Sequence, residues 1–293
     1  MNVTNEPLFD LKSILKAKRV IKETDFSKEG KNIKGPFVFV GQPEYFSFAY
    51  SDALDDGHFE FAIKSSDTTM LQLLPSFIKK NEIKTCVIFR PEWFLSYKEV
   101  FLELKEMGIV MVGYSTEPVP FSMDEEIHQD KLIRLNSLMD VLQLNYDVLI
   151  HYDADSVDFL NDVGFTNIES YPLPVSKKIF YPEPKIEMKY DICFLGRCTE
   201  YRQRILGPLQ SEFNVLHVAH GLINDDARKV MNQSKIVLNI HNYEYANVEQ
   251  RIAAALSCGR PVFSDRLSGG IYVENIDYVC YKDEWQLFNK VKE

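Results

Sequence analysis

KYDICFLGRCTEYRQRIL, residues 189–206, joins an apolar run to a helical pattern through a single glycine. The run 190–195 predicts a buried β-strand, and Gly196 lets the backbone after it approach a ligand closely. The next helix would offer free N–H groups at its start, and Arg197 and Arg204 can each bind a phosphate through two parallel hydrogen bonds. The stretch therefore predicts an α/β unit that binds a phosphate-bearing ligand.

A second stretch, NVEQRIAAALSCGRPVFSD at 247–265, predicts a helix at 246–258 that ends in glycine and passes into a strand. Asn247 and Arg251 are four positions apart, so they would share one face near the start of that helix. Such a face would look toward the carboxyl ends of the strands, where open α/β sheets bind ligands. We therefore expect Asn247 and Arg251 to contact the same ligand.

Two loops that follow predicted strands add further candidate contacts. His220 comes after the strand at 213–219, and Asn242 comes after the strand at 235–240. Loops at the carboxyl ends of parallel strands gather at one edge of the sheet, so both side chains are candidates for contact with the base or sugar of the ligand. Arg202, by contrast, is expected to face solvent, because it lies only two positions from Arg204.

Apolar runs alternate with helical patterns along most of the chain, which predicts parallel sheets with right-handed crossovers. In the first half the predicted strands are 37–40, 59–63, 84–89, 109–113 and 147–151, with helices near 67–81, 94–107 and 125–143. In the second half the predicted strands are 190–195, 213–219, 235–240, 261–264 and 277–281, with helices at 201–210, 224–233, 246–258 and 283–291. The predicted fold class is α/β with two Rossmann-like domains.

A proline-rich stretch interrupts this alternation. Residues 171–185 contain four prolines and no long helical pattern, as expected of an interdomain connection. The predicted organisation is an N-terminal arm at 1–35, a first domain at 36–172, a linker at 173–188 and a second domain at 189–293.

Composition limits the classes of function. The net charge of −10 argues against non-specific binding to nucleic acid, which requires a basic surface. A few local arginines suffice to bind a small phosphorylated ligand. No apolar run reaches the roughly 18 residues needed to span a bilayer, and the N-terminus lacks a signal-peptide pattern. Five scattered cysteines suit reduced thiols. We expect a cytoplasmic protein with no membrane span.

Loops of the first half carry the candidate catalytic groups. Glu92, Glu117 and Asp153 each follow a predicted strand, so they could gather at one edge of the first sheet. A carboxylate there could remove the proton from an acceptor hydroxyl. The letters Asp153-Ala-Asp155 fit a metal pair but lie in the half that lacks the phosphate signals, so no metal site is predicted.

Three stretches together resemble GT-B glycosyltransferases, and most closely their CgeB-like branch, often described as glycosyl transferases family 1. VGFTNIESYPLPVSKKIFYP at 163–182 is similar to the crossover between the two domains of that branch. The stretches that begin at 189 and 247 are similar to the start of its donor domain and to a later donor-domain segment. The resemblance spans roughly 84–282. It implies two Rossmann-like domains facing across a cleft, with a nucleotide-sugar donor on the second and a hydroxyl acceptor on the first.

The resemblance also bears on single residues. Asn247, Arg251 and Gly259 match the asparagine, arginine and glycine of the family segment, whereas Ala254 stands where the family usually has a glutamate that bonds the ribose hydroxyls. GT-B enzymes usually work without a catalytic metal, so the resemblance implies no cofactor beyond the donor itself. The departure at Ala254 implies altered or weaker ribose recognition, or lost turnover.

Several alternatives stay open from the sequence. The acceptor is a glycan, a lipid-linked precursor, a protein or a modified DNA base, the last disfavoured by the acidic composition. The reaction is inverting or retaining. A non-catalytic nucleotide- or sugar-binding relative, and a sugar-phosphate enzyme of similar fold such as an epimerase, are the alternatives to a transferase.

Overall fold

The computed structural model describes residues 33–64, 67–122 and 127–293. These residues form two units, of which the first comprises the described residues up to Pro43 together with Ala53–Pro172. The second comprises Glu44–Asp52 together with Leu173–Glu293. The predicted N-terminal arm at 1–35 lies outside the described residues except for its last three positions.

The first unit is built on a six-stranded sheet in which all neighbouring strands are parallel. Its strand order is β2-β1-β3-β4-β5-β6. The strands are β1 Phe37–Gly41, β2 Phe59–Ala62, β3 Thr85–Phe89, β4 Val110–Ser115, β5 Val148–His151 and β6 Ile168–Ser170. The helices are α1 Pro43–Asp55, α2 Leu74–Lys80, α3 Lys98–Glu106, α4 Gln129–Asp140 and α5 Val157–Asp162, with 3₁₀ turns at Thr68–Leu73, Pro91–Tyr97, Val141–Leu144 and Ala154–Ser156.

The five strands predicted for this half are confirmed, and the short strand β6 was missed. Helix α5 was missed as well, and so was α1, because no helix was predicted between the strands at 37–40 and 59–63. Pro43 is the first residue of α1, and Glu44 lies in its first turn. Proline at the first helical position and an acidic residue close behind it are a helix-start pattern, which the sequence did contain.

Two predicted helices of the first half are shorter than expected. The first turns of the helices predicted at 67–81 and 94–107 are 3₁₀ turns, and α-helix begins only at Leu74 and Lys98. The helix predicted at 125–143 begins at Gln129, after the N-cap residue His128, and its predicted start at 125–126 lies outside the described residues.

The second unit contains a five-stranded parallel sheet with the order β11-β10-β9-β7-β8. Its strands are β7 Tyr190–Leu195, β8 Val215–Val218, β9 Ser234–Asn239, β10 Val262–Ser264 and β11 Val279–Cys280. Its helices are α6 Glu200–Gln210, α7 Asn224–Asn232, α8 Gln250–Ser257 and α9 Glu284–Lys292. All five predicted strands and all four predicted helices of this half are confirmed, and α8 begins four residues later than predicted.

Fully buried apolar side chains on the central strands form the cores of the two units. Val38, Val40, Ile88 and Met111 are fully buried in the first unit. Ile192 and Phe194 on β7 are equally buried in the second, where they pack with Leu206 of α6 and Leu238 of β9. Helices that cover both faces of a parallel sheet require such continuous apolar strands.

Part of α1 belongs to the second unit although it follows the first strand of the chain. The backbone N–H of Ser176 donates to the carbonyl of Phe48 at 2.7 Å, and its hydroxyl donates to Asp52 Oδ1 at 2.8 Å. The amide of Asn224, at the start of α7, donates to the hydroxyl of Ser47 at 3.0 Å. These bonds fix the segment Glu44–Asp52 on the second unit.

Candidate functional site

Gly196 lies directly after β7, at the point where the chain turns toward α6. A Cβ atom added there would lie 3.0 Å from the ring of Phe194 and 3.3 Å from both Arg202 Nη1 and Arg251 Nη2. Those distances are shorter than ordinary van der Waals contacts, so a side chain would push against a ring and two guanidinium groups. Close approach, rather than an unusual backbone angle, requires glycine at this position.

Arg202 is buried, and the prediction that it faces solvent is wrong. Only 4% of the residue is exposed, and its Nε donates to the carbonyls of Ile240 at 2.9 Å and His241 at 3.1 Å. Its Nη1 donates to the carbonyl of Arg197 at 3.1 Å. Burial, and then the nearby charge of Arg251, lower the pKa of Arg202 to about 10.

A helical spacing in the sequence could have revealed the burial of Arg202. Thr199 caps α6 through a bond from the Arg202 N–H to its hydroxyl, which sets the helix phase. In that phase Arg202 shares its face with Ile205, Leu206 and Leu209, which are all buried. The two-residue spacing from Arg204, on which the prediction rested, does not show this apolar face of the helix.

Arg251 lies beside Arg202 at the same glycine turn. Its Nε donates to the carbonyl of Leu195 at 2.7 Å, and its Nη1 donates to the side-chain oxygen of Asn239. Its Nη2 lies 4.0 Å from the carboxylate of Glu249. Neutral oxygens thus accept bonds from both guanidinium groups, and Glu249 offsets part of their positive charge.

A cavity of about 440 Å³ opens beside this turn, entirely within the second unit. That volume lies within the range of small-molecule sites. The cavity brings together three of the residues predicted to bind the ligand, namely Gly196, His220 and Arg251. Its remaining walls come from α1, from the loop after β8, from the start of α7 and from Ala254 on α8. Gly221 in that loop has a φ of +91°, which favours glycine.

Four predicted ligand residues lie outside the cavity lining. Arg204 is more than half exposed and forms ion pairs with Glu244 and, at 3.9 Å, with Glu284. Arg197 is exposed, and its Nε donates to the side-chain oxygen of Asn242 at 3.3 Å. Arg197 and Asn242 thus meet each other next to Gly196, and Arg204 is occupied by surface carboxylates.

Asn247, the fourth of these residues, does not lie on a helix. The cap residue Glu249 has extended backbone angles, so α8 begins after it and the predicted shared face with Arg251 is wrong. Asn247 is buried, and its carbonyl accepts a bond of 2.9 Å from His241 Nε2. That bond holds the segment before α8 in an extended path and so prevents an earlier helix start.

His241 links this segment to Asp265 in the interior of the second unit. Its Nδ1 lies 2.6 Å from Asp265 Oδ1, so both ring nitrogens face oxygen acceptors. Burial is the largest single effect and opposes the charged form, but Asp265, Glu249 and the Asn247 carbonyl together outweigh it and raise the pKa of His241 above its ordinary value. Asp265 also accepts bonds from the His241 N–H and from the hydroxyl of Tyr201, each at 3.1 Å.

The first unit brings two of the three candidate carboxylates into one pocket of about 260 Å³. Glu92 accepts a bond of 2.9 Å from Arg90, whose φ of +72° is a strained, left-handed conformation. Glu117 forms an ion pair with Arg134, which also lines the pocket. The described residues contain no group of three or more histidine, cysteine or acidic side chains placed to hold a metal.

Asp153, the third candidate, is buried and does not line this pocket. Its carboxylate accepts a bond of 3.2 Å from the N–H of Asp155 and caps the short 3₁₀ turn that follows β5. Asp153 is therefore absent from the lining that Glu92 and Glu117 share. This placement favours a structural role for Asp153 over the predicted catalytic one.

His151 is a polar group that the sequence analysis missed. It is fully buried at the end of β5, and its Nδ1 lies 3.2 Å from the hydroxyl of Ser115, which lines the pocket with Glu117. Burial lowers its pKa to about 3, so the ring is neutral near pH 7. Its Nε2 bonds to none of the described residues.

Comparison with known families gives one match. Residues 191–293, about a third of the chain, match the model of a family described as glycosyl transferase-like. The matched stretch contains Gly196, His220 and Arg251 of the cavity. Comparison with proteins of curated function gives no significant match.

The match supports the general class indicated by the glycine turn and the cavity, namely a glycosyl transferase-like α/β domain in the second unit. No helix within the described parts of the chain combines the length and the apolar character needed to cross a bilayer.

Proposed function

We propose that the protein is a glycosyltransferase that binds a nucleotide-sugar donor in the cavity of the second unit. The observation that carries this proposal is the pair of guanidinium groups at Gly196, of which Arg202 is buried and Arg251 partly exposed, inside the stretch that matches the glycosyl transferase-like family. Phosphates bind well where glycine lets the backbone approach and where arginine donors are fixed in place. The glycine turn and the adjoining cavity of suitable volume support an anion site here.

In this proposal the second unit stabilises the leaving diphosphate. Negative charge grows on the phosphate as the glycosidic bond to the donor breaks, and fixed cations lower the energy of that state without moving. Arg251 lines the cavity, whereas Arg202 supports it from behind by holding the backbone of residues 197, 240 and 241. Arg197 and Asn242, which meet next to Gly196, are proposed as outer contacts of the same diphosphate.

The acceptor would lie on the first unit. Glu117 or Glu92 would take the proton of the attacking hydroxyl if the reaction inverts the sugar, since both carboxylates line one pocket at the ends of β3 and β4. Two Rossmann-like units facing across a cleft, metal-independent chemistry and a cytoplasmic location belong to this proposal through the resemblance to GT-B enzymes. The acceptor classes named above all stay open.

A non-catalytic relative that binds a nucleotide or a nucleotide-sugar is the second candidate. It is favoured by Ala254, which lines the cavity and offers no polar group where the resembled family has a glutamate. A sugar-nucleotide that binds without being consumed, in the presence of a broad panel of hydroxyl acceptors, would support this candidate over the first.

Ligand-induced thermal stabilisation tests the proposal. UDP, GDP, dTDP, CMP, ADP and their common sugars are added to the wild type, to Gly196→Ala and to Gly207→Ala. A ligand at 100 times its dissociation constant should stabilise the wild type by about 2.7 kcal/mol. Gly207→Ala is the matched control, because its added methyl group meets no atom within 4 Å.

We expect one nucleotide family to stabilise the wild type and Gly207→Ala, and to stabilise Gly196→Ala much less. Release of that nucleotide with an acceptor present would then identify a transferase. The absence of any nucleotide effect on the wild type would overturn the proposal.

A further inference from the structure

Helix α1 contributes a wall to the cavity from a distant part of the chain. Glu44, Tyr45 and Phe48 line the cavity together with Gly196 and Arg251. Nothing in the glycine and arginine motifs pointed to this helix. Because α1 contributes two aromatic rings and one carboxylate to the lining, its wall differs chemically from the cationic wall formed at Gly196.

The wall is fixed in position. Phe48 is only 8% exposed and its carbonyl accepts the 2.7 Å bond from Ser176, while Ser47 accepts the 3.0 Å bond from Asn224. Asn224 itself lines the cavity at the start of α7. Both bonds hold the turn of α1 that follows Glu44 and Tyr45, as a preorganised binding surface requires.

Tyr45 leaves an aromatic ring open at this wall. The residue is 59% exposed although it lines the cavity, and its hydroxyl bonds to none of the described residues. An exposed tyrosine in a concave site offers a flat apolar face and a polar tip. A ring with apolar C–H groups on one face and hydroxyl groups around its edge fits both features.

Glu44 supplies a hydrogen-bond acceptor for the hydroxyl groups of such a ring. Among the described residues no partner forms an ion pair or a hydrogen bond with its carboxylate, whereas Glu249, the other acidic residue of the lining, lies near Arg251. A carboxylate repels phosphate but accepts strong hydrogen bonds from hydroxyl groups. The Glu44 side of the cavity therefore suits an uncharged, hydroxyl-bearing part of the ligand.

We infer that Glu44 and Tyr45 recognise a sugar ring of the bound ligand, with Tyr45 covering one face of the ring and Glu44 accepting from its hydroxyls. The inference rests on the proposed function, because it takes the ligand to be a nucleotide or nucleotide-sugar. It also supplies hydroxyl recognition in a cavity where Ala254 provides none. The ring is either the ribose of the nucleotide or the transferred sugar, which share this chemistry.

Titration calorimetry on the full chain separates the two rings. The probes are UDP, dUDP and UDP-glucose, and in parallel GDP, dGDP and GDP-mannose, with Glu44→Gln and Tyr45→Ala compared with the wild type. Asp56→Asn is the control for the lost carboxylate, since Asp56 is exposed at the C-cap of α1 and outside the cavity lining. Trp285→Ala is the control for a lost exposed aromatic ring of the second unit.

We expect Glu44→Gln to weaken binding about tenfold and Tyr45→Ala about threefold to tenfold, and the two controls to bind like the wild type. If the ring is ribose, the wild type prefers UDP to dUDP, or GDP to dGDP, and Glu44→Gln loses that preference. If the ring is the transferred sugar, the preference for the nucleotide-sugar over the nucleotide is lost instead. Unliganded melting temperatures show that the variants are folded.

Two outcomes overturn the inference while leaving the proposed function intact. In the first, the wild type binds a nucleotide, and Glu44→Gln and Tyr45→Ala bind every probe as tightly as the wild type does. The other is an equal loss for all probes, deoxynucleotides included, because it would mean that the variants disturb the phosphate site rather than a sugar ring. A wild type that neither binds these probes nor is stabilised by any nucleotide of the panel above overturns the proposed function, and this inference with it.

Discussion

The guanidinium groups of Arg202 and Arg251 both lie against the ring of Phe194, at 5.1 and 5.2 Å from its centroid. Cations over an aromatic ring gain energy from its quadrupole, and more so when they are removed from water. Two cations on one ring repel each other, and, after burial, the nearby charge of Arg251 contributes to the lowered pKa of Arg202. The carboxylate of Glu249, 4.0 Å from Arg251 Nη2, offsets part of this charge. An anionic ligand at the turn would relieve the repulsion, which supports the proposed phosphate site.

The first prediction contrasts Arg202 with Arg204. Arg202→Ala should lower the free energy of unfolding by about 3 kcal/mol, because three backbone carbonyls lose a buried donor. Arg204→Ala should change it little, because solvent screens its two surface ion pairs. Urea unfolding of both variants gives the comparison, and equal losses would contradict the assigned burial.

The second prediction concerns His241 and stability at alkaline pH. Because Asp265 raises the pKa of His241 in the folded state, the stabilisation from this pair is complete below about pH 6.5, the unfolded value, and is lost as pH rises through the folded value. The wild type should therefore lose stability as pH rises above 6.5. In Asp265→Asn that loss should be much smaller, as measured by urea unfolding at several pH values. Parallel pH profiles for the two proteins would contradict the pairing.

The third prediction has the opposite sign and concerns His151. Its folded pKa of about 3 lies below the unfolded value of about 6.5, so the unfolded chain takes up a proton first as pH falls. Stability should decrease below pH 6.5, by up to about 1.4 kcal/mol per pH unit. His151→Asn should lack this part of the decrease between pH 6.5 and 5, where few carboxylates titrate. Unfolding curves in that window test it, and a variant as acid-sensitive as the wild type would refute it.

The fourth prediction separates the candidate bases. With an acceptor identified, one of Glu117→Gln and Glu92→Gln should lower kcat by about 10² to 10⁴ and leave donor binding unchanged, as loss of a general base does. Asp153→Ala should lower stability by about 1 kcal/mol through loss of its cap and leave kcat near that of the wild type. Steady-state kinetics and unfolding of the three variants distinguish these roles, and a reversed pattern would return Asp153 to the active site.

Local patterns in the chain predicted much of this molecule. The strand at 190–195 occurs with the predicted bounds, and the alternation of apolar runs with helical patterns predicted two parallel sheets. Gly196 and Arg251 were identified as site candidates from their positions around a turn and at a helix start, and both line the cavity. Such features depend on neighbouring residues, on the period of apolar positions and on turn-forming residues, all of which lie close together in the sequence.

The remaining features of the site depend on contacts with elements that are distant in sequence. Whether Arg202 meets solvent or buried carbonyls is set by the packing of α6 on β9, and the start of α8 is set by a bond from His241, six residues before Asn247. The most distant case is α1, where Glu44 and Tyr45 join a cavity more than 150 residues away in sequence. Non-local packing and buried hydrogen bonds place these side chains, and neither leaves a period in the local sequence.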